Sequence, residues 1–169
     1  MITYEEAEKM LQNNQKIPYP NIPKVYYDPK YAQMLYDDYA GSLGELTAIT
    51  QYIYQHICTQ DEDVKKILKK IAIEEMRHLE ILGEILKKFN KDPRYIDSNE
   101  NKWCSKNVKY EFNDFKQMIN HNIHSEEVAI QGYRRLSMYT RNFGLRKIFE
   151  RIILDEKTHR EIFIKMIKD

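Results

Sequence analysis

Glu75 and His78, within AIEEMRHLEI (72–81), place a carboxylate and an imidazole three residues apart in a helical, otherwise apolar pattern, and Glu156 and His159 do the same within LDEKTHREIF (154–163). Residues three apart lie on one face of a helix, so each pair could grip a single ion. Chance alone would give about half an E-x-x-H match in a chain of this composition, and one match would mean little. Two matches, each in the middle of an apolar seam, point to chemistry. A solitary histidine on such a face is usually a satisfied core residue. A buried glutamate is different, because it is costly unless paired or bound to a cation.

A shift of 81 residues superimposes the two halves of the chain: Glu45 falls on Glu126, Ala48 on Ala129, Tyr52 on Tyr133, Glu75 on Glu156 and His78 on His159. ELTAITQY (45–52) and EEVAIQGY (126–133) are therefore one E-x-x-A-I-x-x-Y element, and a repeated helical hairpin is the economical explanation. About 14 residues lead from Glu45 to a turn near 59–61 and about 14 lead back to Glu75. At about 1.5 Å per residue, both carboxylates stand about 20 Å from that turn, at one level. Glu126 and Glu156 repeat the spacing. One glutamate from each of two helices, plus an E-x-x-H from each of the other two, is a ligand set for a pair of metal ions. Two divalent cations per chain would neutralise the four carboxylates, some of which must otherwise protonate. Carboxylate and imidazole suit manganese and iron alike.

Other polar residues are placed by helix phase. Tyr52 and Tyr133, seven residues beyond Glu45 and Glu126, return to the same face, where their hydroxyls can bond to carboxylates of the other hairpin. Glu74 and Glu127 sit one step around and are expected to face solvent or a neighbouring helix. His121 and His124 are rotated away from Glu126 by roughly 140° and 160°, and His56 lies three turns from Glu45.

The elements that must hold these residues are helices. Thr3 with Glu6 makes a capping box for a short helix at about 4–14. KIPYPNIPKVYYDP (16–29) should run extended, since its prolines are excluded from helix interiors. Asp28-Pro29 starts a first long helix expected over 29–59, and Asp61 a second over 61–89. Residues 90–112 read as a long connection, a third helix runs from 113 to about 140, and a fourth follows the turn at RNFG (141–144). The expected architecture is all-α: two antiparallel hairpins joined by a long crossover into a four-helix bundle over 29–169, preceded by an N-terminal helix and extended arm over 1–28. Gly41 and Gly44 fall within the turn before Glu45, where they allow either close helix packing or a small opening toward the metals.

The 169 residues carry 27 basic and 26 acidic side chains, so no electrostatic footprint for nucleic acid is visible. No apolar run approaches the roughly 20 residues that a membrane-spanning helix needs, and the N-terminus lacks a signal-peptide pattern. A soluble cytoplasmic protein is expected. Cys58 and Cys104 are isolated, which argues against a disulfide framework or a rubredoxin-type iron site.

These motifs closely resemble the ferritin-like superfamily of dimetal carboxylate proteins. EEVAIQGY and IILDEKTHREI look most like its rubrerythrin-type members, whereas YPNIPKVYYDPKYAQMLYDDYAGSLGELTA resembles the lead-in segment and first helix of manganese catalases, spore-coat relatives included. The resemblance implies that Glu45, Glu75, His78, Glu126 and His159 are direct ligands. It makes Glu156 either a sixth ligand, as in rubrerythrins, or an outer-sphere proton acceptor, as in the catalases. Ala129 stands where rubrerythrins carry a further glutamate, which argues against a rubrerythrin-like shift of iron between ligands. The chain also lacks the C-terminal extension typical of manganese catalases and the CxxC iron domain of full rubrerythrins. With no built-in reductant, disproportionation of hydrogen peroxide is the first expectation. The alternatives are a peroxidase served by a separate rubredoxin-like electron donor, a protein that holds or oxidises iron with dioxygen, and a structural coat component. A homo-oligomer is expected, with the spore coat as an alternative location.

Overall fold

Side-chain caps decide where most of the helices begin. In the computed structural model, which describes residues 1–168, Thr3 and Glu6 form a reciprocal capping box at the head of α1 (Tyr4–Gln15). Asp28 accepts from the Tyr31 amide ahead of α2 (Pro29–Ala40), whose first residue is proline. α3 (Glu45–Cys58) starts at Gly44 without a side-chain cap. Asp61, Asp114 and Asn142 cap α4 (Glu62–Lys88), α5 (Phe115–Tyr139) and α6 (Phe143–Ile167).

The single helix expected over 29–59 is two helices. A Cβ on Gly41 or Gly44 would collide with the Asp37 carbonyl, so the chain can fold back this tightly only with glycine at both positions. The break has a consequence for the site. It puts Glu45 in the first turn of α3, where free amides favour a carboxylate.

α3 packs along α4 and α5 along α6, forming two hairpins; α2 bridges α3, α4 and α5, and α1 lies across α4 and α6. The result is an all-α, antiparallel four-helix bundle with a long crossover. That crossover holds one 3₁₀ turn (Ser105–Asn107) and is strapped to α2 and α3. Tyr36 and Tyr39 donate to the carbonyls of Asp92 and Pro93, the Trp103 indole donates to Thr47, and the Gln51 side chain bonds both backbone groups of Lys109. Among the described residues, no helix is long and apolar enough to cross a membrane.

The core comes in two parts. One contains Ile81, Leu82 and Ile85 with Tyr133, Phe149 and Ile152; the other contains Ile67, Leu68 and Ile71 with Tyr52, Ile119, Ile162 and Phe163. Glu75 and His78 fall between the two parts on α4, as do Glu156 and His159 on α6. A layer of buried charge thus separates two apolar blocks, and those blocks must supply the stability that the layer costs.

Candidate metal centre

Glu45, Glu75, His78, Glu126, Glu156 and His159 meet in that layer, none more than 4% exposed. They form two interlocking groups whose ligand atoms lie within 4.8 Å of one another: Glu45, Glu75, His78 and Glu156, and then Glu75, Glu126, Glu156 and His159. Glu75 and Glu156 belong to both. His78 Nδ1 faces Glu75 at 2.8 Å, Glu156 at 2.9 Å and Glu45 at 3.7 Å. His159 Nδ1 faces Glu75 at 3.0 Å, Glu156 at 3.5 Å and Glu126 at 3.8 Å. The 81-residue repeat has become a two-fold arrangement in space.

The outer nitrogen of each imidazole is occupied. His78 Nε2 lies 3.0 Å from the Tyr19 hydroxyl and 3.3 Å from Asp155 Oδ2, and His159 Nε2 lies 2.9 Å from Glu74 Oε2. A carboxylate on Nε2–H favours the tautomer whose Nδ1 lone pair points inward. Tyr52 donates across to Glu126 and Tyr133 to Glu45, so each tyrosine fixes a carboxylate of the opposite hairpin.

These residues fit a pair of divalent cations. Glu75 Oε1, Glu156 Oε1 and His159 Nδ1 are buried without hydrogen-bond partners. The short Glu75–His159 and Glu156–His78 approaches lack hydrogen-bond geometry and bring polar atoms together around shared space. Lone pairs crowded in this way need protons or cations among them. Without metal, protons take that part. Burial, reinforced by Glu156 and Glu75, pushes Glu45 far above the usual carboxylate range. Burial with Glu156 lifts Glu126 to about 8. Burial opposes charge on the imidazoles, yet Glu156 beside His78 and Glu75 beside His159 raise both well above the ordinary histidine value. For Glu156, burial and Glu75 push upward, but the two imidazoles outweigh them and hold it low.

Of the two surroundings expected for Glu74, solvent or a neighbouring helix, the structure has the second. The side chain does not face solvent but accepts from His159, with Gln15 donating 2.7 Å to its other oxygen, and these partners keep its carboxyl low despite burial. The chain around residue 15 covers this side of α4, which helix phase alone could not show. Glu127 does lie at the surface, paired with Arg160. His56, His121 and His124 stay outside the cluster; His56 bonds to the Lys65 carbonyl and His121 packs on Phe112.

Sequence reasoning missed Asp155, Tyr19 and Asp38. Asp155 carried a usable signal, since the 81-residue shift takes it onto Glu74. The two acids are equivalent, each backing the histidine of the other hairpin. Tyr19 and Asp38 carried none. Asp38 is buried with one oxygen unpartnered, fills the space left by the missing side chain of Gly132, and is lifted to about 7 by burial. It lines a narrow cavity of about 10 Å³, with Leu43, Gly44 and Ala129, that reaches Glu45, Glu75, Glu126 and Glu156. Gly44 thus serves both close packing and this opening.

Residues 4–145 match the profile of the manganese-containing catalases. The chain belongs to that family. It is 23% identical over 157 residues to a probable manganese catalase of Clostridium acetobutylicum, covering 80% of this chain and 69% of that one. A stretch of 63 residues is 32% identical to the uncharacterized protein YjqC of Bacillus subtilis, or 37% of this chain and 23% of that one. KatB, a manganese catalase from Anabaena PCC7120, superposes with a TM-score of 0.80 at 27% identity, over 89% of this chain and 76% of KatB. The bacterioferritin of Desulfovibrio desulfuricans, which has a diiron site, superposes with a TM-score of 0.67 at 25% identity, over 81% and 77% of the two chains. The fold is therefore ferritin-like, and the family match runs past the first hairpin into α5 and the start of α6.

Proposed function

We propose that this chain disproportionates hydrogen peroxide to water and dioxygen at a pair of manganese ions. The observation that carries this reading is the pair of interlocking ligand groups sharing Glu75 and Glu156, buried at the end of a narrow cleft, in a member of the manganese catalase family. Glu45, Glu75 and His78 would hold one ion, and Glu126 and His159, with Glu75 shared, the other. Two manganese ions held here would supply a two-electron change, taking electrons from one peroxide and returning them to the next. The protein's own part is positional and protonic. Tyr52 and Tyr133 keep Glu126 and Glu45 from turning away. The cleft, with room for about one water-sized molecule, favours a small substrate such as peroxide over bulky reductants. Glu156 stands between the two histidines, either as a sixth ligand or as the carboxylate that takes peroxide's proton and hands it to the departing water. Assembly into a homo-oligomer belongs to the same reading; Tyr26, Tyr27 and Tyr139 stand exposed around one groove and offer a surface for it.

The test is oxygen evolution from hydrogen peroxide by manganese-loaded protein with no added reductant. Metal analysis of the same sample should approach two equivalents per chain. Glu156→Gln should slow oxygen release while keeping most of the metal if Glu156 is the base, and should lose metal if it is a ligand. Two bound manganese ions without oxygen release would sink the reading. Peroxide consumption by the iron form with a reduced rubredoxin-like donor would then favour a peroxidase, and iron oxidation by dioxygen would favour a bacterioferritin-like role.

A further inference from the structure

We propose that residues 14–19, where α1 passes into the extended arm, form a latch on the metal centre, so that docking of the N-terminal segment and binding of metal reinforce each other. The proposal rests on the metal-binding reading above. One short stretch reaches the back of both imidazoles. Tyr19 donates to Asp155 and lies 3.0 Å from His78 Nε2. Gln15 donates to the Glu74 oxygen that is not engaged with His159. Two residues four apart in the chain therefore touch the outer partners of both histidines.

The latch is fastened mainly to α6. Arg151 donates to the carbonyls of Ile17 and Asn14 at 2.7 and 2.8 Å, and its guanidinium lies 4.4 Å from the centre of the Tyr19 ring. Asn14 donates to Leu154 and Thr158 at 3.1 and 2.8 Å. α1 has 12 residues, of which Ala7 and Leu11 are its buried apolar anchors. A helix of that length is marginal on its own, so its order depends on docking. Metal on Nδ1 requires the proton on Nε2, the atom that Tyr19, Asp155 and Glu74 engage. With the latch undocked, Asp155 would lose Tyr19 and keep only Arg151 of its own helix, and Glu74 would lose Gln15, leaving both imidazoles less firmly held. Whatever factor docking contributes to metal affinity, metal must return to docking.

The experiment compares wild-type full-length protein with Tyr19→Phe, with Gln15→Ala at an exposed position, and with Gln12→Ala as a control on the same exposed surface. Manganese affinity is measured by equilibrium competition. Amide exchange across residues 4–19 is followed without metal and at manganese saturation. Tyr19→Phe should weaken manganese binding by roughly tenfold, as loss of such outer partners does; Gln15→Ala should weaken it by a smaller factor, and Gln12→Ala should leave it unchanged. Exchange of the α1 amides in wild type should slow by at least the same tenfold on manganese saturation, and less in Tyr19→Phe. Wild type that binds two manganese ions with no change in α1 exchange, together with wild-type affinity in both Tyr19→Phe and Gln15→Ala, would overturn the latch. If Tyr19→Phe fails to fold, Gln15→Ala and the wild-type exchange data decide alone. Wild type that takes up no manganese would overturn the metal reading first and the latch with it.

Discussion

The metal-free protein should lose stability as pH rises from 5 to 8, the reverse of what buried, paired carboxylates usually produce. Glu126 is lifted from 4.5 to about 8 in the folded chain, chiefly by burial, and Asp38 from 3.8 to about 7. Glu45 is raised further for the same reason. Across this window the folded state keeps protons that the unfolded state has released, so folding grows less favourable with each step in pH. The raised values of His78 and His159 act in the same direction above pH 6.5. Glu156 and Asp155, whose carboxyls are held low, act oppositely, but only below about pH 5. At about 1.4 kcal/mol per pH unit, Glu126 alone accounts for a fall of about 3 kcal/mol between pH 5 and 8. Because the carboxylates and imidazoles titrate together, the measured change belongs to the layer as a whole. Urea unfolding of chelator-treated protein at pH 5, 6.5 and 8 reads it directly. Glu126→Gln keeps an acceptor for the Tyr52 hydroxyl but removes the charge, so it should raise metal-free stability at pH 8 and flatten the profile. Saturating manganese should reverse the slope, since metal competes with these protons. A flat or rising profile in the metal-free wild type would refute the account of the charged layer.

Glu74→Ala should weaken metal binding by roughly tenfold through loss of the His159 partner, whereas Glu127→Ala, which loses one surface ion pair, should leave it unchanged; equal effects in a manganese titration would contradict the placement of Glu74. Gly44→Ala should destabilise the fold by about 1–3 kcal/mol, because the new Cβ would strike the backbone carbonyls of Asp37 and Asp38. Denaturation at fixed pH measures that loss.

The seams of α4 and α6 were legible because a 3.6-residue period survives in the sequence wherever one face is apolar. The clustering of the six candidate ligands was legible because the motif occurs twice at one offset. The break at 41–44 was not, since apolar residues continue on both sides of it and only the approach of the Asp37 carbonyl makes glycine necessary there. The partners of Glu74 were not legible for a related reason. A residue one step from a seam position is rotated by roughly 100° and reads equally as facing solvent or a neighbouring helix. Here the cover is Gln15, 59 residues away in the chain, and no local pattern encodes that meeting. Tyr19 sits in a proline-rich stretch with no periodicity, where sequence shows only that the backbone is extended.

The repeat explains more than the ligand count, because each half of the centre is completed by the other. His78 faces Glu45 and Glu75 of its own hairpin but also Glu156, with Asp155 behind it; His159 faces Glu126 and Glu156 of its own but also Glu75, with Glu74 behind it. The tyrosine bonds cross as well. Neither hairpin alone contains a full site, so metal bound here would hold the hairpins together as much as it would serve chemistry. The symmetry fails behind the histidines. Asp155 is flanked by the buried Arg151 and by Tyr19, whereas Glu74 is backed by the neutral, exposed Gln15. Lys70, the repeat counterpart of Arg151, points instead to Glu8 at 3.7 Å. His78 is therefore backed by a more buried, charged cluster and His159 by a more exposed pair. A repeat that supplied two equal half-sites would give two equal ions; this one, with its arm laid against one histidine more firmly than the other, would make the two candidate metal positions chemically distinct.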